Sequence, residues 1–200
     1  MSGAETVLIP PEGAVPPVRH PEAPRPGEPL PSHYEQCFAC GDGVPHGLGL
    51  RSWAGDGVSV RAELTVLPAH QGAPGLAHGG ILSAALDETL GSLNWVLRTI
   101  AVTGRLETDF LRPVPVGTRL CLRAEATAVH GRKIYATAEG RVGDPEGALA
   151  VRARALFVEV TTDHFTTHGR DEEIEAALAD PRQREVVRTL RGDDTPEARS

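Results

Sequence analysis

Two features between residues 70 and 91 are able to do chemistry: a glycine-rich helix start and a carboxylate further along the helix. Residues 79–99 have the spacing of one long helix, which follows a loop rich in Pro and Gly. At a helix start the backbone amides lack partners and the helix dipole is positive. Because Gly79 and Gly80 lack side chains, a ligand oxygen can approach the amide of Gly80 or Ile81, as in an oxyanion hole. The glycine pair alone equally fits close packing of the helix against a strand, which is its commoner use.

The carboxylate of Asp87 lies within an otherwise apolar part of this helix. Such a group is costly to bury unless it is solvated or hydrogen-bonded, and a plain surface position is the alternative interpretation. On a helical wheel Asp87 belongs to a narrow polar stripe, as expected of a face that lines a cleft. The stripe also contains Ser83, Gly91 and Asn94. Glu88 falls on the opposite flank, so Asp87 is the candidate base or nucleophile.

Five segments with alternating apolar residues surround this helix in the sequence, and each has the period of a strand with one buried face. They are residues 58–66, 106–110, 120–128, 134–142 and 148–160. The Gly-rich turns between the last strands are short, which favours hairpins and an antiparallel sheet. One mostly apolar helix among about five such strands predicts an α+β fold in which the sheet wraps around the helix.

The two ends of the chain differ from the central block, residues 33–160, which we expect to be the folded domain. Nine of the 17 prolines fall within the first 31 residues. Because proline fixes φ and removes an amide donor, residues 1–32 are predicted to be an extended, largely disordered arm. Residues 161–200 are charged, with helical spacing interrupted at Pro181. This pattern predicts one or two surface helices and a frayed end over residues 192–200.

The composition argues against several classes of protein. A formal net charge of −7 disfavours nucleic-acid binding, which needs a basic face. No run approaches 18 consecutive apolar residues, so no membrane-spanning helix is expected, and the first residues lack the pattern of a signal peptide. Three cysteines do not make a disulfide scaffold, and a reducing, cytoplasmic location is the simpler expectation.

The motif His78-Gly79-Gly80, with Asp87 nine residues after His78, resembles the hotdog-fold acyl-CoA thioesterase superfamily. More narrowly, it resembles the phenylacetate-pathway and thioesterase-superfamily-member type, which is related to 4-hydroxybenzoyl-CoA thioesterases. Residues 70–75 match the loop before the motif, and residues 103–117 match the strand and turn after the helix. Residues 37–50, with CFACG and GLGL, resemble an N-terminal signature of one branch. The likeness covers residues 37–160.

This resemblance implies a hotdog fold, an antiparallel sheet of about five to six strands around one long central helix. It implies that the amide of Gly80, or its neighbour, polarises a thioester carbonyl. It also implies that Asp87 is the general base or nucleophile and that the hydroxyl of Thr103 helps to hold the water. His78 is expected to be structural or to orient the loop.

Further contacts with the substrate are expected around this site, from Gly79, His78, Ser83 and Gln71. Many relatives carry an Asn in the loop before the motif, and this chain has Gly72 there, beside Gln71. Gln71 takes over the role of the Asn if the loop turns it inward. Residues 130–133, with the sequence HGRK, form a polar hairpin turn that we call the basic turn. Its Arg132 and Lys133, together with Arg105 or Arg112, are candidates for binding the phosphates of coenzyme A.

The spacing of Gly80 and Asp87 bears on the oligomeric state. Seven residues of one helix separate them by about 10 Å at about 1.5 Å per residue, so they cannot both reach one carbonyl carbon. If both act on one thioester, the carboxylate must come from a second subunit. The chain is therefore expected to be a homodimer with two equivalent clefts, or a homotetramer of two dimers, as the resemblance also implies.

The pair Cys37 and Cys40, with His33 and His46 nearby, raises the question of zinc. A closed zinc site needs four ligands, usually from two separated pairs, and the sequence has no second Cys pair. A packed turn before the first strand is therefore preferred. Neither a metal nor a cofactor is expected.

The sequence thus predicts an enzyme, a thioesterase that hydrolyses an acyl-CoA or acyl-carrier-protein thioester with the help of a carboxylate at a dimer interface. Two other functions stay open. One is a hydratase or dehydratase on the same fold, whose chemistry needs a His and a carboxylate together, here His78 and Asp87. The other is a non-catalytic acyl-CoA-binding protein. The sequence does not specify the acyl group.

Overall fold

A seven-stranded antiparallel sheet dominates the computed structural model, which describes residues 8–191. In sheet order its strands are β1 (Pro29–Leu30), β2 (Arg51–Ala54), β3 (Ser59–Thr65), β7 (Arg119–His130), β8 (Lys133–Val142), β9 (Leu149–Glu159) and β6 (Ala101–Phe110). A separate hairpin, β4 (Gln71–Ala73) and β5 (Leu76–Ala77), precedes the central helix. The predicted antiparallel α+β architecture is confirmed. The count exceeds the predicted five to six because β1 and β2 are too short to show a period in the sequence.

The central helix α1 (Gly79–Gly91) packs on one face of this sheet and contacts β3 and β6 to β9. Its buried side carries mostly aliphatic residues, namely Leu82, Ala85, Leu86, Thr89 and Leu90. They meet the inward-facing residues of the strands in one continuous core, which includes Val60, Leu122, Ala136, Ala153 and Phe157. The alternation of the strands and the period of the helix are therefore both explained by burial against each other.

Residues 79–99 form two helices, where the sequence predicted one. After α1 ends at Gly91, α2 spans Leu93–Leu97. The hydroxyl of Ser92 donates to the carbonyl of Glu88 at 2.9 Å, and a serine that bonds back to this position bends a helix. Arg98, at φ 52°, adopts the left-handed conformation that ends α2.

Residues 8–32 of the proline-rich segment are extended and lie against the domain, where the sequence analysis expected a largely disordered arm. Val15 and Val129 exchange two backbone hydrogen bonds of 2.9 and 2.8 Å, and the His20 amide donates to the Val96 carbonyl at 3.1 Å. Strand β1 then pairs with β2. Proline leaves few amides to satisfy, so a few such bonds are enough to align an extended segment with the sheet. Residues 1–7 lie outside the described residues.

Three helices follow β9, where one or two were predicted: α3 (Asp163–His168), α4 (Asp171–Ala179) and α5 (Pro181–Arg191). Proline stands at the first position of α5, where it costs no hydrogen bond, and Leu190 anchors that helix in the core. The predicted frayed end, residues 192–200, lies outside the described residues.

The division of the chain into a central domain, residues 33–160, and two flanking segments stays a prediction. Across residues 8–191, no helix combines the length and apolar character needed to cross a membrane.

Candidate active site

The candidate base and the hydroxyl expected to hold the water are in direct contact. Thr103, near the start of β6, donates from Oγ1 to Oδ1 of Asp87 on α1 at 2.8 Å. A β-bulge shifts the register of β6 against β9 between Thr103 and Arg105, and bulges re-aim side chains. Partial burial raises the pKa of Asp87, the hydrogen bond from Thr103 lowers it and the charge of Glu88 raises it, with a net upward shift.

The polar stripe of the central helix faces strand β6. Ser83, one turn before Asp87, donates to Oγ1 of Thr108 at a long 3.5 Å. Asn94 donates from Nδ2 to the carbonyl of Ala101 at 3.0 Å. Strand β6 is one of the two edge strands of the sheet, paired with β9 on one side and with no other strand of residues 8–191 on its outer side. The structure thus brings the stripe to the edge of the sheet.

The helix start differs from the expectation for Gly80. The amide of Gly80 donates to Nδ1 of His78 at 2.9 Å, so that His78 caps the helix, and the amide of Ile81 donates to the His78 carbonyl at 3.0 Å. Both amides expected to bind a carbonyl are therefore engaged. Among residues 8–191 no acceptor is found for the amide of Gly79, the first residue of α1. Phe110 lies close to Gly79, since a Cβ added there would be 3.4 Å from the ring.

The loop before the helix is organised around its own backbone. Oε1 of Gln71, an exposed residue, accepts the amide of Gly75 at 2.7 Å across the β4–β5 hairpin, so it is not turned toward Asp87. Gly72 has no room for a side chain, since a Cβ there would lie 2.7 Å from Cα of His78. This contact explains why the chain departs from an Asn at this position.

The basic turn lies at the same end of the sheet as Thr103 but on the other face. Lys133 pairs with Val158, whereas Thr103 pairs with Phe157, and side chains of adjacent positions in a strand point to opposite faces. Arg132 donates to the carbonyl of Glu159 at 3.3 Å and is exposed. The structure does not bring Arg132 and Lys133 to the carboxylate of the same chain.

A second polar cluster lies on the other side of α1, and the sequence analysis did not assemble it. Glu88 faces His33, Cys37 and Cys40, which precede β2. The hydrogen bond with Cys40 lowers the pKa of Cys37. Burial alone would lower the pKa of His33, but hydrogen bonds with Cys37 and Glu88 outweigh it and raise that pKa to about 10. The sequence already placed Cys37 and Cys40 near His33, but nothing in their spacing indicated that Glu88 joins them.

An antiparallel sheet around a helix that carries the candidate base defines a hotdog-fold protein. A family model described as the thioesterase superfamily matches residues 74–149, which include the central helix, the Asp87–Thr103 pair and strands β6 to β8. This part of the chain is therefore similar to the hotdog thioesterase superfamily.

Relatives of known name agree with this family. The chain is 29% identical over 93 residues to acyl-coenzyme A thioesterase THEM4 of Xenopus laevis, with 46% of this chain and 41% of that protein covered. It therefore spans less than half of that relative. A crystal structure of a thioesterase superfamily protein matches with a TM-score of 0.58 and 28% identity over 68% of this chain and 70% of the other. The PaaI protein of the E. coli phenylacetic acid degradation operon, with a TM-score of 0.53, 19% identity and coverage of 57% and 81%, shares the fold.

Proposed function

We propose that the protein hydrolyses acyl-CoA thioesters, with acyl-carrier-protein thioesters as the alternative substrate. The observation that carries the proposal is the half-buried Asp87, held by the hydroxyl of Thr103 at the edge of the sheet. A carboxylate whose pKa is raised by burial is suited to take a proton from water. The similarity to an acyl-coenzyme A thioesterase supports this substrate class.

In the proposed site the carbonyl is bound by the amide of Gly79 rather than that of Gly80, because the Gly80 amide already donates to the side chain of His78, the helix cap. Gly79 and Asp87 are eight residues apart, which is about 12 Å along a helix. That distance is too long for the two groups of one chain to act on the same carbonyl carbon. We therefore infer that each site combines Asp87 of one subunit with the helix start of another.

Pairing between the β6 strands of two copies would build such a shared site, and the edge position of β6 supports it. An edge strand offers unpaired backbone donors and acceptors, and two-fold symmetry makes two copies of it pair antiparallel. Thr103 lies beside Asp87 near the start of β6, and Phe110 lies beside Gly79 at its end. A two-fold axis near the middle of β6 brings Thr103 of one copy toward the end of the other strand. Asp87 then approaches the partner subunit's Gly79 in both halves of a homodimer, and two such dimers would make the alternative homotetramer.

Hydrolysis in this site follows from the groups it contains. Asp87 takes a proton from water while the water oxygen bonds to the thioester carbon and the carbonyl electrons move onto oxygen. The Gly79 amide donates to that oxyanion. The C–S bond then breaks, sulfur leaves with the electron pair and takes up the proton, and the acid is released. In the other route the Asp87 carboxylate itself attacks the thioester carbon, the C–S bond breaks and sulfur leaves with the electron pair. Water then hydrolyses the resulting anhydride, which releases the acid and restores the carboxylate.

The hydratase alternative loses support from the position of His78. Its Nδ1 accepts the Gly80 amide, so this nitrogen is not available to take a proton from a substrate.

Binding of coenzyme A phosphates by Arg132 and Lys133, and a cytoplasmic location, stay predictions.

A thiol-release assay with short, aryl and long acyl-CoA substrates tests the proposed function. We expect turnover by the wild-type chain and a loss of about 100-fold or more in kcat for Asp87→Asn, since a general base contributes about 10²- to 10⁴-fold. Asp56→Asn makes the same change in an exposed bend between β2 and β3 and should keep full activity. Binding of acyl-CoA without thiol release would instead indicate a binding protein. Loss of an enoyl chromophore without thiol release would indicate a hydratase.

A further inference from the structure

The second cluster, His33, Cys37, Cys40 and Glu88, brings four potential metal ligands together from two parts of the chain. One ligand atom from each residue lies within 4.8 Å of all the others. Sγ of Cys40 is 3.3 Å from Nδ1 of His33, and the same nitrogen is 3.3 Å from Oε1 of Glu88. Sγ of Cys37 is 3.6 Å from Oε2 of Glu88.

These separations fit the ligand shell of a tetrahedral zinc ion. Zinc bonds sulfur at about 2.3 Å and nitrogen or oxygen at about 2.0–2.1 Å, so neighbouring ligand atoms of a tetrahedron lie about 3.3–3.8 Å apart. The three separations along the cluster fall in this range. The group of two thiols, an imidazole and a carboxylate therefore has a donor set that suits zinc. Its ligand atoms, all within 4.8 Å of one another, need to draw together only slightly around the ion.

The backbone around the cysteines is shaped to present both sulfurs on one side. The chain turns back after Cys40, where the Gly41 amide donates to the Cys37 carbonyl at 2.8 Å. A Cβ at Gly41 would lie 2.6 Å from that carbonyl oxygen, so the turn depends on glycine. The Ser32 hydroxyl lies 3.3 Å from Sγ of Cys40. Outer contacts of this kind orient the ligands of metal sites.

We propose that His33, Cys37, Cys40 and Glu88 bind one Zn²⁺ ion that fastens the segment before β2 to the central helix. Four protein ligands leave no open position, so the site is structural and takes no part in the thioester reaction. The sequence argued against zinc because no second Cys pair exists. The structure supplies the missing ligand as Glu88, whose neighbour Asp87 contacts strand β6 instead.

Metal analysis of the full chain, purified under reducing conditions without chelators, tests the proposal. We expect about one zinc per chain. Replacement by Co²⁺ should give the thiolate-to-cobalt charge-transfer band and the intense visible bands of a tetrahedral site. Removal of zinc with a chelator should lower the Tm of the wild-type chain.

Variants separate the cluster from other zinc-binding groups. His33 has a half-exposed side chain, so His33→Ala is expected to fold, and Glu88→Gln keeps the shape of the fourth ligand without its charge. Each should weaken zinc binding by more than about 100-fold, measured by competition with a chromophoric chelator, because loss of even an outer-shell partner costs about 10- to 100-fold. Cys121→Ser, at a buried thiol of β7, is the matched control and should bind zinc as the wild type does.

The zinc proposal and the proposed function fail separately. Asp87→Asn should lose thioester hydrolysis and keep its zinc. A chain that binds no zinc, shows no cobalt charge transfer or carries a Cys37–Cys40 disulfide as isolated would overturn the zinc site and leave the thioesterase proposal intact. Unchanged zinc affinity in both His33→Ala and Glu88→Gln would do the same.

Discussion

Oγ1 of Thr103 lies 2.8 Å from Oδ1 of Asp87, and this hydrogen bond joins the central helix to an edge strand of the sheet. Within residues 8–191 the hydrogen bond found for this carboxylate uses Oδ1, so Oδ2 is the oxygen proposed to act on water. A donor on one oxygen fixes the rotation of the carboxylate, so the direction in which Oδ2 points is set by β6. Thr103 is therefore a positioning residue for Asp87.

Replacement of Thr103 tests this relationship. In Thr103→Val the side chain keeps its shape and loses the hydroxyl, so the carboxylate loses its orienting donor. We expect kcat to fall about tenfold, which corresponds to about 1.4 kcal/mol, near the upper end of the range for a typical intramolecular hydrogen bond. Thr103→Ser should restore most of the rate, and KM should change little. Equal rates for Thr103→Val and wild type would show that the hydroxyl does not position the base.

The role of the Gly79 amide can be tested without disturbing the helix. Gly79 is the first residue of α1, where proline is well tolerated, and His78 has the extended conformation, φ −69° and ψ 137°, that favours a following proline. Gly79→Pro therefore removes the amide hydrogen and little else. We expect a loss of about 10²- to 10³-fold in kcat, as for removal of an oxyanion-hole donor.

Gly79→Ala is the matched control for this change. Its Cβ would make an ordinary contact of 3.4 Å with the Phe110 ring, and its amide hydrogen is kept. Circular dichroism and the Tm should show that both variants fold. If proline and alanine at this position give the same rate, the carbonyl is bound by another donor.

Much of the fold followed from periodicity, because burial on one face leaves a clear pattern in the sequence. The strands with seven or more residues and the helix start at Gly79 were predictable for this reason. The break at Ser92 was not, since it depends on one hydroxyl bonding back to Glu88. The path of residues 8–32 was also missed, because a proline-rich segment has no period that reports a contact such as Val15 with Val129.

The site was predictable where it depends on helix geometry and unpredictable where it depends on side-chain rotamers. A helical wheel separates Asp87 from Glu88, and in the structure the two side chains contact different parts of the chain, Asp87 strand β6 and Glu88 the segment before β2. The capture of the Gly80 amide by His78 needs one particular ring orientation, which no sequence pattern reports. The meeting of Glu88 with Cys37 and Cys40 is a long-range contact, so local spacing carried no sign of it.

An Asn introduced at position 72 should lower both stability and activity, although many relatives of the predicted type carry an Asn in this loop. A Cβ on Gly72 would lie 2.7 Å from Cα of His78, so any side chain pushes the helix cap away. We expect Gly72→Asn to lower the free energy of unfolding by about 1–3 kcal/mol, as overpacking does, and to lower kcat as well. Urea unfolding and thiol release measure the two effects.

Ala73→Asn is the control for the loop, because it places the same side chain on the exposed neighbouring residue of β4. It should leave stability and activity close to wild type. A Gly72→Asn chain that is as stable as wild type and faster would mean that the β4–β5 hairpin has room for the amide after all.

Mixing two inactive variants tests whether each site is shared between subunits. In a mixed dimer of Asp87→Asn and Gly79→Pro chains, one site receives both changes and the other receives neither. After random exchange half of the dimers are mixed and half of their sites are intact, so the mixture should recover about a quarter of wild-type activity. Each variant alone, taken through the same exchange, is the control. The shared site would be contradicted if light scattering finds a monomer or if the mixture stays as inactive as each variant alone. Asp87 and the amide that binds the carbonyl would then belong to one chain, and that amide could not be Gly79, which lies about 12 Å from Asp87 along the helix.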